Sequence, residues 1–340
     1  MTQIVQVTAV GQTLMRSAMG QSCPEHLDKL RELLSKNHFV VSNFEPALHT
    51  EGIGGHTRTD GTPVHIAGIE ILKEMQYLSM NLISMASNHK WDLGTDSIAA
   101  SVDIYNTYPF AYSGVGKNFK DSFKARFIEL ENGLTGGIVA AATAKIREGA
   151  SATDLRPGVA EIPFDGKQLD YSTKNKILAE LRNASGQCDF LVFVYHNHIW
   201  MDDLAKTPGW AVEFARQCVD NGADMFLNHG APLLGGLELY KDKAILYNLG
   251  SFAFQPHLKK WSNEKYRDTL FVTCEYRNRK VSSLELLPMR ISSEENKFGF
   301  PDFVDAATAN KILNDLNALN QRDFGKGIII SGEKGYLCVG

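Results

Sequence analysis

Residues 222–254 read GADMFLNHGAPLLGGLELYKDKAILYNLGSFAF. Residues 224–228 are mostly apolar and too few for a stable helix, which predicts an interior strand. Gly230 and Pro232 follow at once and stop the ladder, so His229 is expected at a strand mouth. The polar Lys241-Asp242-Lys243 between two apolar runs, 237–240 and 244–247, has the pattern of a short hairpin. Asn248-Leu249-Gly250-Ser251 then breaks the chain before Phe252 and Phe254. Polar residues thus gather where strands end, the usual place for a site in an open α/β sheet, because loops vary there without disturbing the core.

The same arrangement recurs outward from this stretch. Residues 3–10 alternate as a first strand and run into Gly11-Gln12-Thr13. A helix follows, with Pro24 in its first turn and Leu27, Leu30, Leu33 and Leu34 on one face. Residues 39–42 predict a strand that delivers Asn43-Phe44-Glu45-Pro46. The Gly- and Thr-rich residues 52–63 carry His56, Arg58 and Asp60, with His65 after them; so long a polar connection either lines a site or covers surface. Residues 69–77 are helical in pattern. Residues 82–86 predict a strand ending in Ser87-Asn88-His89, which leads through Lys90, Trp91, Asp92 and Gly94 into a helix capped by Thr95 or Asp96. Residues 126–131 and 134–142 flank Asn132-Gly133, the strongest hairpin signal in the chain, so the sheets must be mixed. Residues 190–195 predict a strand ending in His196-Asn197-His198-Ile199-Trp200; if it stays extended, the two imidazoles share a face. Thr207 and Pro208 can cap the next helix, whose apolar stripe is Ala211, Phe214, Ala215, Cys218 and Val219. Beyond Phe254, residues 268–276 and 281–287 predict a hairpin and 306–319 a closing helix. The expected organisation is one domain, with a core over 1–255 and a C-terminal elaboration over 256–340 packed on it.

The chain of 340 residues is 44% hydrophobic, enough for a substantial core, and its 35 basic and 39 acidic residues leave a net charge of −4. No long run of one sign occurs, so neither nucleic acid nor a membrane surface is an expected partner. The five cysteines are scattered and odd in number, which argues against a disulfide framework or a cysteine zinc site. No signal-peptide pattern and no apolar run of membrane-spanning length is present, and a cytoplasmic location is expected.

Collected together, the strand mouths present Gln12, Glu45, Asn88 with His89, His196 with His198, and His229. A lone strand-end histidine is usually part of the core or its rim. Carboxylate, amide oxygen and neutral imidazoles at several mouths form a mixed O/N set suited to Mn²⁺, Fe²⁺ or Zn²⁺, whereas Ca²⁺ wants more oxygen. No local HxxxH or HExxH motif accompanies them.

The series Asn43-Phe44-Glu45, Ser87-Asn88-His89 with Asp92 and Gly94, His196, Gly222-Ala223-Asp224 through His229, and Leu246-Tyr247-Asn248-Leu249-Gly250-Ser251-Phe252 resembles the CapA family of poly-γ-glutamate capsule biosynthesis proteins. The resemblance runs from about Val7 to Phe254. It implies a metallophosphatase-like four-layer α/β/β/α sandwich, with two mixed β-sheets between helices and metal ligands on loops at one edge. Two family ligands are replaced here, by Gln12 and Pro232, and both would serve the same ion. The resemblance therefore implies one metal per chain, held by Glu45, Asn88, His196 and His229, with His198 as an added ligand or a catalytic or substrate contact. His89 would be the acid or base, a role suited to imidazole, and Asp92 would orient it. Gln12, Arg58, His65, Trp200 and Asn248 are the expected substrate contacts. Trp91, Trp200 and Trp210 are candidates for an apolar wall, and Arg16, Arg58 and Lys90 for the few phosphate-binding cations.

The function expected on these grounds is a metal-dependent hydrolase that polarises a substrate oxygen or activates water. Its substrate would be an amide, γ-glutamyl or other peptide-like bond, or an ester, of a small molecule. The alternatives are a metal-independent epimerase or lyase using the same histidines, a phosphoesterase, and a non-catalytic protein of polymer biosynthesis.

Overall fold

The computed structural model describes residues 3–53, 63–255 and 264–338, and shows a mixed α/β fold built on two large sheets. The first sheet has the order Ile328–Ser331, Lys334–Leu337, Lys280–Ile291, Asp268–Arg277, Ile4–Ala9, Phe39–Asn43, Leu82–Ser84 and Ala111–Ser113, with Pro301–Phe303 beside Lys280–Ile291. Its last four strands are parallel and the rest antiparallel. The second sheet has the order Leu237–Tyr240, Lys243–Leu246, Met225–His229, Phe190–Asn197, Thr135–Thr143 and Arg126–Glu129. Its four central strands are parallel and its two edges antiparallel.

Side-chain alternation explains how the two sheets stack. Ile138, Ala140, Val192, Val194, Met225, Leu227 and Leu246 face the first sheet and share a buried cluster with Val7, Phe39, Val41 and Leu82. Their neighbours of opposite parity, Val139, Leu191, Phe193, Tyr195, Phe226 and Ile245, pack under helices Tyr171–Ser185 and Gly209–Asp220. Helices Pro24–Leu34, Ile69–Tyr77 and Thr95–Tyr105 bury Leu30, Leu34, Ile71, Leu72, Met75, Ile98 and Val102 in the cluster of the first sheet. The result is a helix/sheet/sheet/helix sandwich. At its centre Phe39 stacks on Phe190 at 5.9 Å, worth about 0.5–1.5 kcal/mol beyond area burial. Gly136 makes that approach possible, since a Cβ there would lie 2.5 Å from the Phe39 ring.

The C-terminal segments are part of this sheet system. Asp268–Arg277 pairs directly with Ile4–Ala9, and buried Asp224 ties the two sheets through Arg279 and Lys243. Two short strands, Ile328–Ser331 and Lys334–Leu337, were not evident in the sequence pattern.

Two local expectations are corrected and one is met. The helix after Asp92 begins at Thr95 with Gly94 as its cap, in a conformation (φ 84°, ψ −177°) suited to glycine, and Thr95 Oγ1 accepts from the Trp91 indole at 3.0 Å. The helix after Thr207 begins at Gly209 with Pro208, one of its two expected caps, in the cap position and no side chain closing it. The three tryptophans do not form one wall: Trp200 packs on His198, Trp91 bonds Thr95, and Trp210 packs on Phe164.

Candidate metal centre

The parallel strands of both sheets end at one edge of the sandwich, which is how distant residues meet. Phe39–Asn43 and Leu82–Ser84 deliver Glu45, Asn88 and His89 from the first sheet. Phe190–Asn197 and Met225–His229 deliver His196, His198 and His229 from the second. His196 and His229 are register partners, and both continue the parity of the residues packed between the sheets. Their rings therefore belong to the inter-sheet face, at its open edge.

Gly230 fixes this edge. It has φ 119°, and a Cβ would lie 2.1 Å from the backbone oxygen of Asn197, so only glycine lets the chain turn away after His229. Its N–H donates to Gln12 Oε1 at 3.1 Å, while Gln12 N donates to Gly250 O at 3.0 Å. Buried Gln12 thus holds the turn that follows His229.

His196 Nε2 lies 3.0 Å from His198 Nε2, 3.1 Å from Asn88 Oδ1 and 4.0 Å from Glu45 Oε1. Glu45, His196 and His198 offer ligand atoms within 4.8 Å of one another. Which nitrogen carries the ring hydrogen depends on the tautomer, and in the tautomer that leaves His196 Nε2 unprotonated, these atoms present lone pairs to a common point. His229 is 0% exposed and neither of its nitrogens has a hydrogen-bond partner. Glu45 Oε2 and His196 Nδ1 are also buried without one. Buried polar atoms are normally satisfied, and a borderline divalent ion suits these N and O donors. The residues present therefore fit a divalent ion, with His198 among the ligand atoms.

Electrostatics at the site follow from burial. Desolvation pushes the Glu45 carboxyl up to about 8, with Lys90 opposing and Asp92 adding to the rise. It lowers His229 to about 3. His196 is held well below the usual histidine range by burial and then by His198, His229, His89 and Lys90. Both imidazoles are therefore neutral and have lone pairs to offer a cation. Burial likewise holds Lys90 well below the usual lysine range, against the pull of Glu45.

Beside the cluster lies a second group. His89 Nδ1 is 2.8 Å from Asp92 Oδ2, which also accepts the backbone N–H of His65 at 2.8 Å. The His65 and His89 rings meet edge to face at 4.2 Å. Ser87 Oγ donates to Glu45 O at 2.7 Å and accepts the N–H of His89 at 3.2 Å, coupling the two strand mouths. Fully buried Asp92 therefore fixes the His89 ring through Nδ1.

The other expected residues are more scattered. Trp200 is on the rim, 39% exposed, with its ring 5.2 Å from that of His198. Asn248 is buried, and its Nδ2 donates to Ala231 O at 2.9 Å. Arg58 lies outside the described residues. Lys90 is not a surface cation: it is buried, donates to Pro46 O at 2.7 Å and sits 3.9 Å from the Phe44 ring centre. Sequence reasoning passed over Lys145 and Arg147, in the loop after Thr143. No motif marks them, although the loop follows a predicted strand.

A model of the bacterial capsule synthesis protein PGA_cap matches residues 6–256. Similar proteins include the capsule biosynthesis protein CapA of Bacillus anthracis, 25% identical over 302 residues that make up 88% of this chain and 67% of that protein. The PGA biosynthesis protein CapA of Bacillus subtilis is 23% identical over 255 residues, 74% of this chain and 61% of that one. A probable polyglutamine synthesis accessory protein of Mycobacterium tuberculosis is 25% identical over 225 residues, 63% of this chain and 57% of that one. The chain spans about three-fifths to two-thirds of the length of these relatives. Among solved structures, the GAP50 anchor in the inner membrane complex of Plasmodium aligns with a TM-score of 0.40 and 11% identity over 93% of this chain and 96% of that one. Among the described residues, no helix is long and apolar enough to cross a membrane.

Proposed function

Since the chain belongs to the bacterial capsule synthesis protein family PGA_cap, we propose that it is a single-metal hydrolase of amide bonds, with γ-glutamyl linkages of a small or peptide-like molecule as the first candidates. The observation that carries this reading is the convergence of Glu45, Asn88, His196 and His198 beside His229, an imidazole buried with both nitrogens unpartnered. Those five residues would hold the ion. When bound, it would supply Lewis-acid polarisation of a carbonyl oxygen and acidify water.

The protein's own groups account for the remaining steps. With Nδ1 held by Asp92, the other ring nitrogen of His89 is left to give a proton to the departing amine and to recover one afterwards. His65 packs on the ring and shares Asp92, which limits its rotation. Two facts support one ion rather than two: Gln12 Oε1 is engaged by Gly230 N, and Pro232 has no ligand atom. A single ion lacks the clamp across attacking and leaving oxygens that two-metal phosphatases use, so amide hydrolysis is preferred over phosphoester hydrolysis. The names of the relatives, which speak of capsule, PGA and polyglutamine synthesis, support the choice of γ-glutamyl compounds.

The test is hydrolysis of γ-glutamyl dipeptides by protein reconstituted with Mn²⁺, Fe²⁺ or Zn²⁺, compared with His89→Asn. Turnover that needs the metal and falls about 10²-fold or more in the variant is expected for loss of an acid/base group. A metal-loaded protein inert towards γ-glutamyl, α-peptide and ester bonds would refute the proposal.

A further inference from the structure

The loop that follows Thr143 leaves its strand beside the site, and it does so in an unfavourable conformation. Ala144 and Lys145 have φ of 65° and 54°, consecutive left-handed residues with neither of them glycine. L-residues seldom adopt this region, and such outliers persist where surrounding structure enforces them. Just before them, His198 N donates to Thr143 O at 3.1 Å, and Ala142 and Thr143 are register partners of His196 and Asn197, so the loop leaves its strand directly beside the strand that carries the histidines.

The consequence is the placement of two cations. Lys145 Nζ sits 4.2 Å from the centre of the Trp200 ring, the same ring that packs on His198. The Arg147 guanidinium sits 5.4 Å from the centre of Trp91, two residues beyond His89. One loop thus reaches a tryptophan beside the histidines of the second sheet and a tryptophan beside the acid/base histidine of the first. Exposed Lys145 makes no ion pair with any carboxylate in the described residues. An aromatic face holds an ammonium in place while leaving its N–H donors open on the solvent side.

We propose that Lys145 recognises an anionic oxygen group on the substrate, carboxylate or phosphate, and so makes this rim the specificity-determining part of the site. This rests on taking the histidine cluster as the place of reaction. Neither cation is a ligand of the ion, so charge selection and metal binding separate experimentally.

The experiment is calorimetric titration of the 340-residue chain, as purified and after Mn²⁺ loading, with γ-glutamylglutamate, with the same dipeptide bearing amidated carboxyl groups, and with inorganic phosphate. A charge-assisted contact predicts that wild type binds an anionic probe about tenfold or more tightly than the neutral one. Lys145→Ala should erase that preference, Lys145→Arg should restore most of it, and metal content should be the same in all three. A preference for the dipeptide identifies a carboxylate subsite, and binding of phosphate alone identifies a phosphate subsite. Absence of any charge preference in wild type, or full preference in Lys145→Ala, overturns the proposal. Loss of metal binding without loss of charge preference would instead count against the hydrolase and leave the anion subsite standing.

Discussion

Replacing Glu45 by glutamine tests the electrostatics of the site in the direction opposite to ordinary expectation. Glutamine has the shape of the protonated carboxyl, and burial pushes the Glu45 carboxyl from 4.5 to about 8. In that interval the folded metal-free protein keeps a proton that the unfolded chain releases, so through this group stability falls as pH rises, by about 1.4 kcal/mol per unit. Between pH 5.5 and 7.5 the loss is about 3 kcal/mol, and Glu45→Gln does not suffer it. For a chain of this length the unfolding entropy is roughly 0.7 kcal/mol per kelvin, so the Tm of the variant should gain on wild type by about 4 °C across that window. The assay is thermal unfolding of both proteins in chelator at several pH values. Adding metal should reverse the order: an ion at 100 times its Kd stabilises wild type by about 3 kcal/mol, and the variant lacks the charge to hold it. Parallel pH profiles for the two proteins in chelator, or equal stabilisation by metal, would refute the reasoning.

Asp92→Asn should reduce turnover about 10²-fold while leaving metal content unchanged, because it disturbs the hydrogen bond that orients His89 and no ligand; kinetics with parallel metal analysis checks it. Gly230→Ala should cost more than about 2 kcal/mol and also release metal, since the new Cβ would collide with the Asn197 carbonyl and displace His229. Denaturant unfolding and metal analysis of the same sample measure both effects. Asp224→Ala should destabilise by about 3–5 kcal/mol without changing the metal stoichiometry, because it strands Arg279 and Lys243, which close on its carboxylate at 2.6 Å each, far from the histidines.

Much of this architecture could be read from the chain, for identifiable reasons. Strand ends are marked locally: Pro46 after Glu45, Gly230 after His229, and Asn132-Gly133 at a hairpin each stop or turn a ladder by their own chemistry. The histidine parity at 196 and 198 follows from a two-residue period. Partnering across the sequence is different. Asp268–Arg277 reads as a strand, yet nothing in its pattern says that it pairs with Ile4–Ala9 at the opposite end of the chain. The cap of the helix after Asp92 lies one or two residues before the expected Thr95 or Asp96 because Gly94 caps by backbone conformation, without a side-chain hydrogen bond.

At the site, the resemblance implied Glu45, Asn88, His196 and His229 as ligands with His198 as an added contact; in the fold Glu45, Asn88 and His198 surround His196, and His229 is its register partner. It did not show that Gln12 is tied to Gly230, because that bond joins residues 218 positions apart. It misjudged Lys90, whose neighbours Phe44 and Pro46 belong to another strand mouth. Lys145 passed unnoticed because a left-handed backbone at a residue other than glycine has no sequence marker.

The central claim is a single divalent ion among these side chains, and elemental mass spectrometry on untagged protein tests it most directly. The account predicts about one equivalent of Mn, Fe or Zn per chain, falling to near zero in His196→Ala and in His229→Ala with the fold intact by circular dichroism. No bound metal after supplying all three ions, or two equivalents in wild type, would contradict it.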